Sequence, residues 1–370
     1  MADRSAPPSD ALRQGSGQAS RFTLHELIGR LLFVGIPGPT LDSATQRTLE
    51  DLQVGGVILF RRNVGTPAEV SALTAALHAL PSQPLVAIDH EGGRVLRLGE
   101  PFTRFPPAAV VGHTRNPDLA YRVGHAMGME LASVGIDLSF APVLDVHSNP
   151  ANPVIGDRAF GSDPALVGEM GIALMRGLHD GGVLSCGKHF PGHGDTEKDS
   201  HVELPVVRRS RAELDHTELV PFRAAIAAGV PMLMSAHVLY PALDAEHPAT
   251  LSHAILNKLL RSELHFDGVV ASDDLHMRAI VNHGSIGDAA VASLRAGADA
   301  LLVCQELQRA VEAFTAIENA VAKGPLDTCL ITAAAARIER LRARRGNTSP
   351  VACPLPNERH RMLVEQLRAI

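Results

Sequence analysis

Residues 55–93 read GGVILFRRNVGTPAEVSALTAALHALPSQPLVAIDHEGG. A short apolar, β-branched run at 56–60 leads into a helix-compatible stretch at 67–80, and a second run follows at 85–88. Runs this short and this uniformly apolar suit strands buried on both faces. Such strands belong to parallel sheets whose crossovers are helices.

The same alternation continues in both directions. Further runs stand at 31–35, 137–142, 183–187, 232–236, 268–271 and 300–303, with helix-like segments at 118–134, 164–180, 211–228, 252–263 and 287–296. Eight strands, each followed by a helix, match a (β/α)8 barrel better than a doubly wound sheet, which more often stops at about five or six strands. The expected fold class is therefore α/β, a single-domain (β/α)8 TIM-type barrel. Its expected limits are a disordered tail at 1–20, the barrel at 21–345, and a linker with a short helix at 346–370. Helical sequence at 327–345 closes the ring, GNTSPVACPLP at 346–356 is the linker, and Leu363, Val364, Leu367 and Ile370 form the apolar stripe of the last helix.

Composition narrows the functions available. With 45% apolar and 20% charged residues in 370, the chain has ample material for a buried core and is not a disordered protein. A net charge of −6, with no basic cluster beyond a short Arg pair near Arg344, argues against nucleic acid as a partner. No window has the roughly 18 uncharged apolar residues of a membrane span. The opening MADRSAPPSDALRQGSGQAS lacks the apolar run of a signal peptide, so a cytoplasmic protein with no membrane partner is expected. Cys186, Cys304, Cys329 and Cys353 form no CxxC pair, which argues against a disulfide framework or a thiolate zinc site. A monomer without cofactor or metal is expected.

In a barrel of this kind the chemistry sits where strands end and the following loops begin. Charged residues fall there: Asp89, Asp145, Lys188 with His189, His237, and Asp273 with Asp274 each follow an apolar run. The densest loop, KHFPGHGDTEKDSHVELP at 188–205, is broken by Pro191, Gly192 and Gly194 and cannot be a regular helix. It offers Lys188 as a cationic donor, His201 as a proton-transfer group and Asp199 as the carboxylate that orients it. His189, His193, Asp195, Asp199 and His201 also offer ligands of the types a metal takes. In DGVVASDDLHM at 267–277 one carboxylate is placed to attack an acetal carbon. Asp273 is assigned that role, with Asp274 capping a helix expected at 274–280. Asp89, Arg94 and Arg97 around the Gly92-Gly93 turn, and Arg158 in GDRAFGSDP, suit the gripping of sugar hydroxyls.

Taken in order, GGVILFRRNV, VAIDHEGGRVLRL, FPP, IDLSFAPVLDV, NPVIGDRAFGSDP, CGKHFPGHGDTEKDSH, MSAHVLYPALD, PATLS and FDGVVASDDLHM resemble the family 3 glycoside hydrolases. Within that family they are similar to the single-barrel bacterial β-N-acetylhexosaminidases of peptidoglycan recycling. The resemblance implies Asp273 as nucleophile and His201 with Asp199 as the acid/base dyad. It implies substrate contacts at Asp89, Arg97, Arg158, Lys188 and His189. One departure is His90, where the family usually has Gln. The expected reaction is release of terminal GlcNAc from muropeptide fragments, GlcNAc-1,6-anhydroMurNAc with or without peptide, so the partner is a small carbohydrate. A β-N-acetylglucosaminide phosphorylase and a β-glucosidase of the same family are the competing readings.

Overall fold

The apolar runs become strands in the computed structural model, which describes residues 22–196, 204–277, 280, 284–345 and 352–370. The barrel strands are β1 (Leu32–Gly35), β2 (Gly56–Leu59), β3 (Leu85–Ile88), β4 (Leu138–Ser139), β5 (Leu184–Phe190), β6 (Met232–Ser235), β7 (Val269–Asp274) and β8 (Ala300–Val303). Each pairs in parallel with its sequence neighbours, and β8 pairs with β1 to close the ring. The (β/α)8 barrel expected from the alternation is the fold observed. Its interior is filled by interdigitation of large and small residues. Gly56, opposite Phe33 in the β1–β2 register, is one such small residue, since a Cβ there would lie 2.2 Å from the Phe33 ring.

Local chemistry starts the helices where the chain leaves the barrel. Thr66, Asn116 and Asp163 each accept backbone N–H bonds from the first turn, and each is followed by a proline whose missing N–H costs nothing at that position. One expected helix is divided: 211–228 forms Arg211–His216 and Leu219–Ala227, with Thr217 out of helical conformation. Pro221 is the cause, because its ring would clash with the carbonyl four residues earlier, that of Thr217.

Two strands run further than their apolar residues. Lys188 and His189 lie inside β5, and Asp273 and Asp274 inside β7, rather than after them. The ladder is made by backbone groups, so Lys188 pairs with Met234 although its side chain is charged. A short antiparallel hairpin, His90–Gly92 with Val95–Leu96, was not anticipated. It turns through Gly92 and Gly93, both at positive φ. The last helix, Glu358–Arg368, buries Leu363, Val364 and Leu367 against helices Ala108–His113 and Pro117–Ser133. Ile370 lies past its end and is exposed. Among the described residues no helix is long and apolar enough to cross a membrane.

Candidate active site

The C-terminal ends of the strands surround a cavity of about 810 Å³, within the usual size of a small-molecule site. Asp89, Arg97, Arg158, Lys188, His189 and Asp273 all line it. These residues come from three strand ends, β3, β5 and β7, and from the loops that follow β3 and β4, so closure of the barrel is what gathers them. Asp199 and His201 lie outside the described residues.

One wall is a chain of alternating charges. Lys188 Nζ, buried, donates to Asp89 Oδ1 at 2.8 Å and meets Glu91 Oε1 at 2.5 Å. Arg97 Nη2 donates to Asp89 Oδ2 at 3.0 Å. Arg158 grips Glu91 through Nε at 2.8 Å and Nη2 at 2.9 Å. Burial would lift the carboxyl of Asp89, but Lys188 and Arg97 outweigh it and hold it below its ordinary value. Burial acts on Glu91 in the same way and is overcome by Lys188 and Arg158. Lys188 is pushed up by Asp89 and Glu91 against the opposing effect of burial. Asp89, Glu91 and Lys188 are therefore charged at neutral pH. Fixed carboxylate acceptors beside fixed cationic donors form an arrangement that orients a polyhydroxylated ring.

A second wall rests on Asp145, which is fully buried. Its carboxylate accepts from His189 Nδ1 at 2.6 Å, from the His189 backbone N–H at 3.1 Å and from the His193 N–H at 2.7 Å. A carboxylate acceptor places the proton on His189 Nδ1 and locks the ring where it lines the cavity. Burial would raise Asp145, but the neighbouring His189 brings it below the ordinary carboxylate value. His193 is pushed down to about 4 by burial, with His189 adding to the shift, and is neutral. Gly194 allows the loop to lie this close, because a Cβ there would collide with the Val146 carbonyl.

At the tip of β7 the two adjacent aspartates differ. Burial would raise Asp273, but His237, His189 and the Asp274 N–H bring it below its ordinary value. Asp274 is raised by burial and by the charge of Asp273. Its Oδ1 accepts from the N–H groups of His276 at 3.1 Å and Cys304 at 3.2 Å. Asp274 thus caps a turn and ties β7 to the end of β8. The helix expected to start at 274 does not form over its first residues, 275–277, which are a turn. Beneath the pair, His237 Nε2 donates to the Asp274 carbonyl at 2.9 Å while Nδ1 meets the Thr250 hydroxyl at 2.8 Å. Burial lowers its pKa, so a neutral imidazole supports the strand tip.

Sequence reasoning overlooked Glu91 as a site residue, although it lies two positions after Asp89 in an extended segment and so projects to the same side. Asp145 was recognised only as a polar strand end. His90 is buried and does not line the cavity, so a change from the usual Gln there alters no direct contact. Among the described residues no three His, Cys, Asp or Glu side chains are grouped to hold a metal. Of the five ligands considered, His189 is engaged by Asp145, and Asp195 by Arg209 at 2.9 Å.

Residues 23–341 match the N-terminal domain of glycosyl hydrolase family 3. A beta-hexosaminidase of Thiobacillus denitrificans is 45% identical over 294 residues, 78% of this chain and 81% of that protein. Among solved structures, a glycoside hydrolase family 3 beta-N-acetylglucosaminidase from Paenibacillus sp. str. FPU-7 has a TM-score of 0.90 at 39% identity, covering 94% of this chain and 68% of that one. NagZ from Neisseria gonorrhoeae, in complex with N-trifluoroacetyl-D-glucosamine, has a TM-score of 0.71 at 36% identity, covering 84% and 97%.

Proposed function

From the premise that the chain belongs to glycosyl hydrolase family 3 and is a glycoside hydrolase of the beta-hexosaminidase kind, we propose that it is a retaining exo-β-N-acetylglucosaminidase of peptidoglycan recycling. Its substrates are GlcNAc-1,6-anhydroMurNAc fragments with or without peptide. The observation that carries the mechanism is the unequal pair at the tip of β7. Asp273 is held anionic in the cavity beside His189 and Lys188, as a nucleophile must be, while Asp274 is engaged by backbone amides.

In the first step a carboxylate oxygen of Asp273 bonds to the anomeric carbon as the glycosidic bond breaks, and His201 gives its proton to the departing oxygen. In the second, His201 takes a proton from water, whose oxygen bonds to that carbon and releases Asp273. Two displacements at one centre retain the anomeric configuration. Asp199 orients His201 and stabilises its protonated form. Asp89, Arg97, Arg158, Lys188 and His189 bind the sugar, with Glu91 holding two of those cations in place.

Phosphorolysis would bring a dianion to Asp273, and a cation left unpaired would favour it. Lys188, Arg97 and Arg158 are each matched to Asp89 or Glu91, whereas Arg61 and Arg62, which also line the cavity, meet backbone carbonyls, so the product formed separates hydrolysis from phosphorolysis. The test is turnover of the p-nitrophenyl β-glycosides of GlcNAc and of glucose, with and without phosphate. Release of free GlcNAc from the first alone is expected. Preference for the glucoside, or GlcNAc-1-phosphate as the main product, would overturn the reading.

A further inference from the structure

The last helix, Glu358–Arg368, lies beyond the matched family segment and does not line the cavity, yet it is joined to the site by buried polar contacts. His360 Nδ1 meets Glu130 Oε1 at 2.7 Å, and both side chains are at least nine-tenths buried. The same carboxylate, on helix Pro117–Ser133, accepts from the Thr103 hydroxyl at 2.6 Å and the Thr103 N–H at 2.8 Å. Two residues on, Phe105 places its ring 6.5 Å from that of His360 and accepts the Gly93 N–H through its carbonyl at 2.9 Å. Gly93 is the turn of the hairpin, whose strands carry Glu91 just before the turn and lead into Arg97 just after. The contact is close, since a Cβ on Gly92 would lie 2.3 Å from the Pro106 carbonyl. His90, at the start of the hairpin, is buried within the electrostatic reach of both Glu130 and Arg97.

We propose that His360 and Glu130 are positioning residues. Through Thr103 and Phe105 they hold the hairpin that presents Glu91 and Arg97, so the C-terminal helix sets the substrate affinity of a site it does not touch. Glu130 is the hub, because one buried carboxylate needs several donors at once and here draws them from the last helix and from the loop following the hairpin. Losing one donor frees the loop and, through it, the groups that hold the sugar in ground state and transition state alike. The inference rests on the glycosidase reading for the role of those groups.

The test uses the full chain and two readouts, steady-state hydrolysis of p-nitrophenyl-GlcNAc and amide hydrogen exchange. His360→Leu is expected to raise KM by about tenfold with kcat within about twofold, as loss of uniform binding does. It is also expected to speed exchange at the Thr103 and Gly93 amides. His360→Asn, whose side-chain amide can replace the Nδ1 donor, restores both. An unchanged KM, equal defects in the Leu and Asn variants, or unaltered exchange at those amides would overturn the proposal. Thr103→Val deletes a single donor to Glu130 and carries the same test if His360→Leu melts below the assay temperature; an unaltered KM there also overturns it. Should the wild type fail to cleave the glycoside, the glycosidase reading falls, and exchange at Thr103 and Gly93 decides the positional link by itself.

Discussion

Glu91 and Arg158, 67 residues apart in the chain, meet in a two-point ion pair, with Nε 2.8 Å from Oε2 and Nη2 2.9 Å from Oε1. Lys188 reaches the same carboxylate from a third segment. One buried anion thus sets the places of two cations that the sugar is proposed to meet. Neutralising one partner of a buried pair costs about 3–5 kcal/mol, because the other charge is left uncompensated. Glu91→Gln is therefore expected to lower the thermal midpoint and to reduce kcat/KM for a GlcNAc glycoside by more than about tenfold. Wild-type kinetics in this variant would make the pair irrelevant to substrate.

Asp273→Ala is expected to lose nearly all turnover. A 2-fluoro or 5-fluoro sugar should label the wild-type protein at Asp273, since a retaining enzyme accumulates the ester on its nucleophile. The carboxyl is held below its ordinary value of 3.8, so it stays ionised as pH falls through 4, and any acid limb of kcat/KM above that pH comes from another group. Mass-spectrometric location of the label on Asp274 would move the role by one residue.

His90 gives a pH-linked prediction for stability. Burial pushes its imidazole down from 6.5 to about 4, so the folded chain keeps it neutral while the unfolded chain protonates it. Between those values the unfolded state binds more protons, and stability falls as pH drops, by about 1.4 kcal/mol per pH unit for such a group. Above 6.5 the contribution is fully present. His90→Gln removes this group and should make the loss of thermal midpoint between pH 6.5 and 4 shallower. Because His90 Nδ1 has no hydrogen-bond partner among the described residues and glutamine is of similar size, the hairpin should keep its place and kcat/KM stay within about threefold. An unchanged pH slope, or a large loss of activity, would count against this account.

For His201 the contrast lies between leaving groups. A p-nitrophenolate departs with little help, whereas a sugar alkoxide needs a proton. His201→Ala is expected to damage cleavage of the proposed disaccharide substrate far more than that of the aryl glycoside, with Asp199→Asn similar but milder. Equal losses on both substrates would make His201 structural or substrate-binding and send the search for the proton donor elsewhere.

Strand order needed nothing beyond the chain. Runs such as 56–60 and 85–88, too short for helices and apolar throughout, are buried on both faces only in a parallel sheet with helical crossovers, and eight of them close a ring. Strand-end polarity likewise placed Asp89, Lys188, His189 and Asp273 at one mouth, because in a barrel all strands end at the same face. The caps at Asn116-Pro117 and Asp163-Pro164 join residues adjacent in the chain, since capping is local.

Contacts between distant segments were not legible. Glu91 with Arg158, Asp145 with His189, and Glu130 with His360 join residues 67, 44 and 230 positions apart. No local periodicity encodes such pairings. Sequence ranks Asp273 over Asp274 only by expecting one of them to cap a helix; their ionisation is separated by tertiary surroundings, since the imidazoles of His237 and His189 lower Asp273 while burial and the charge of Asp273 raise Asp274. Residue type and spacing determine which groups arrive at the mouth of the barrel. Burial and the charges that folding brings alongside decide which of them is an anion, which a donor, and which a support for another.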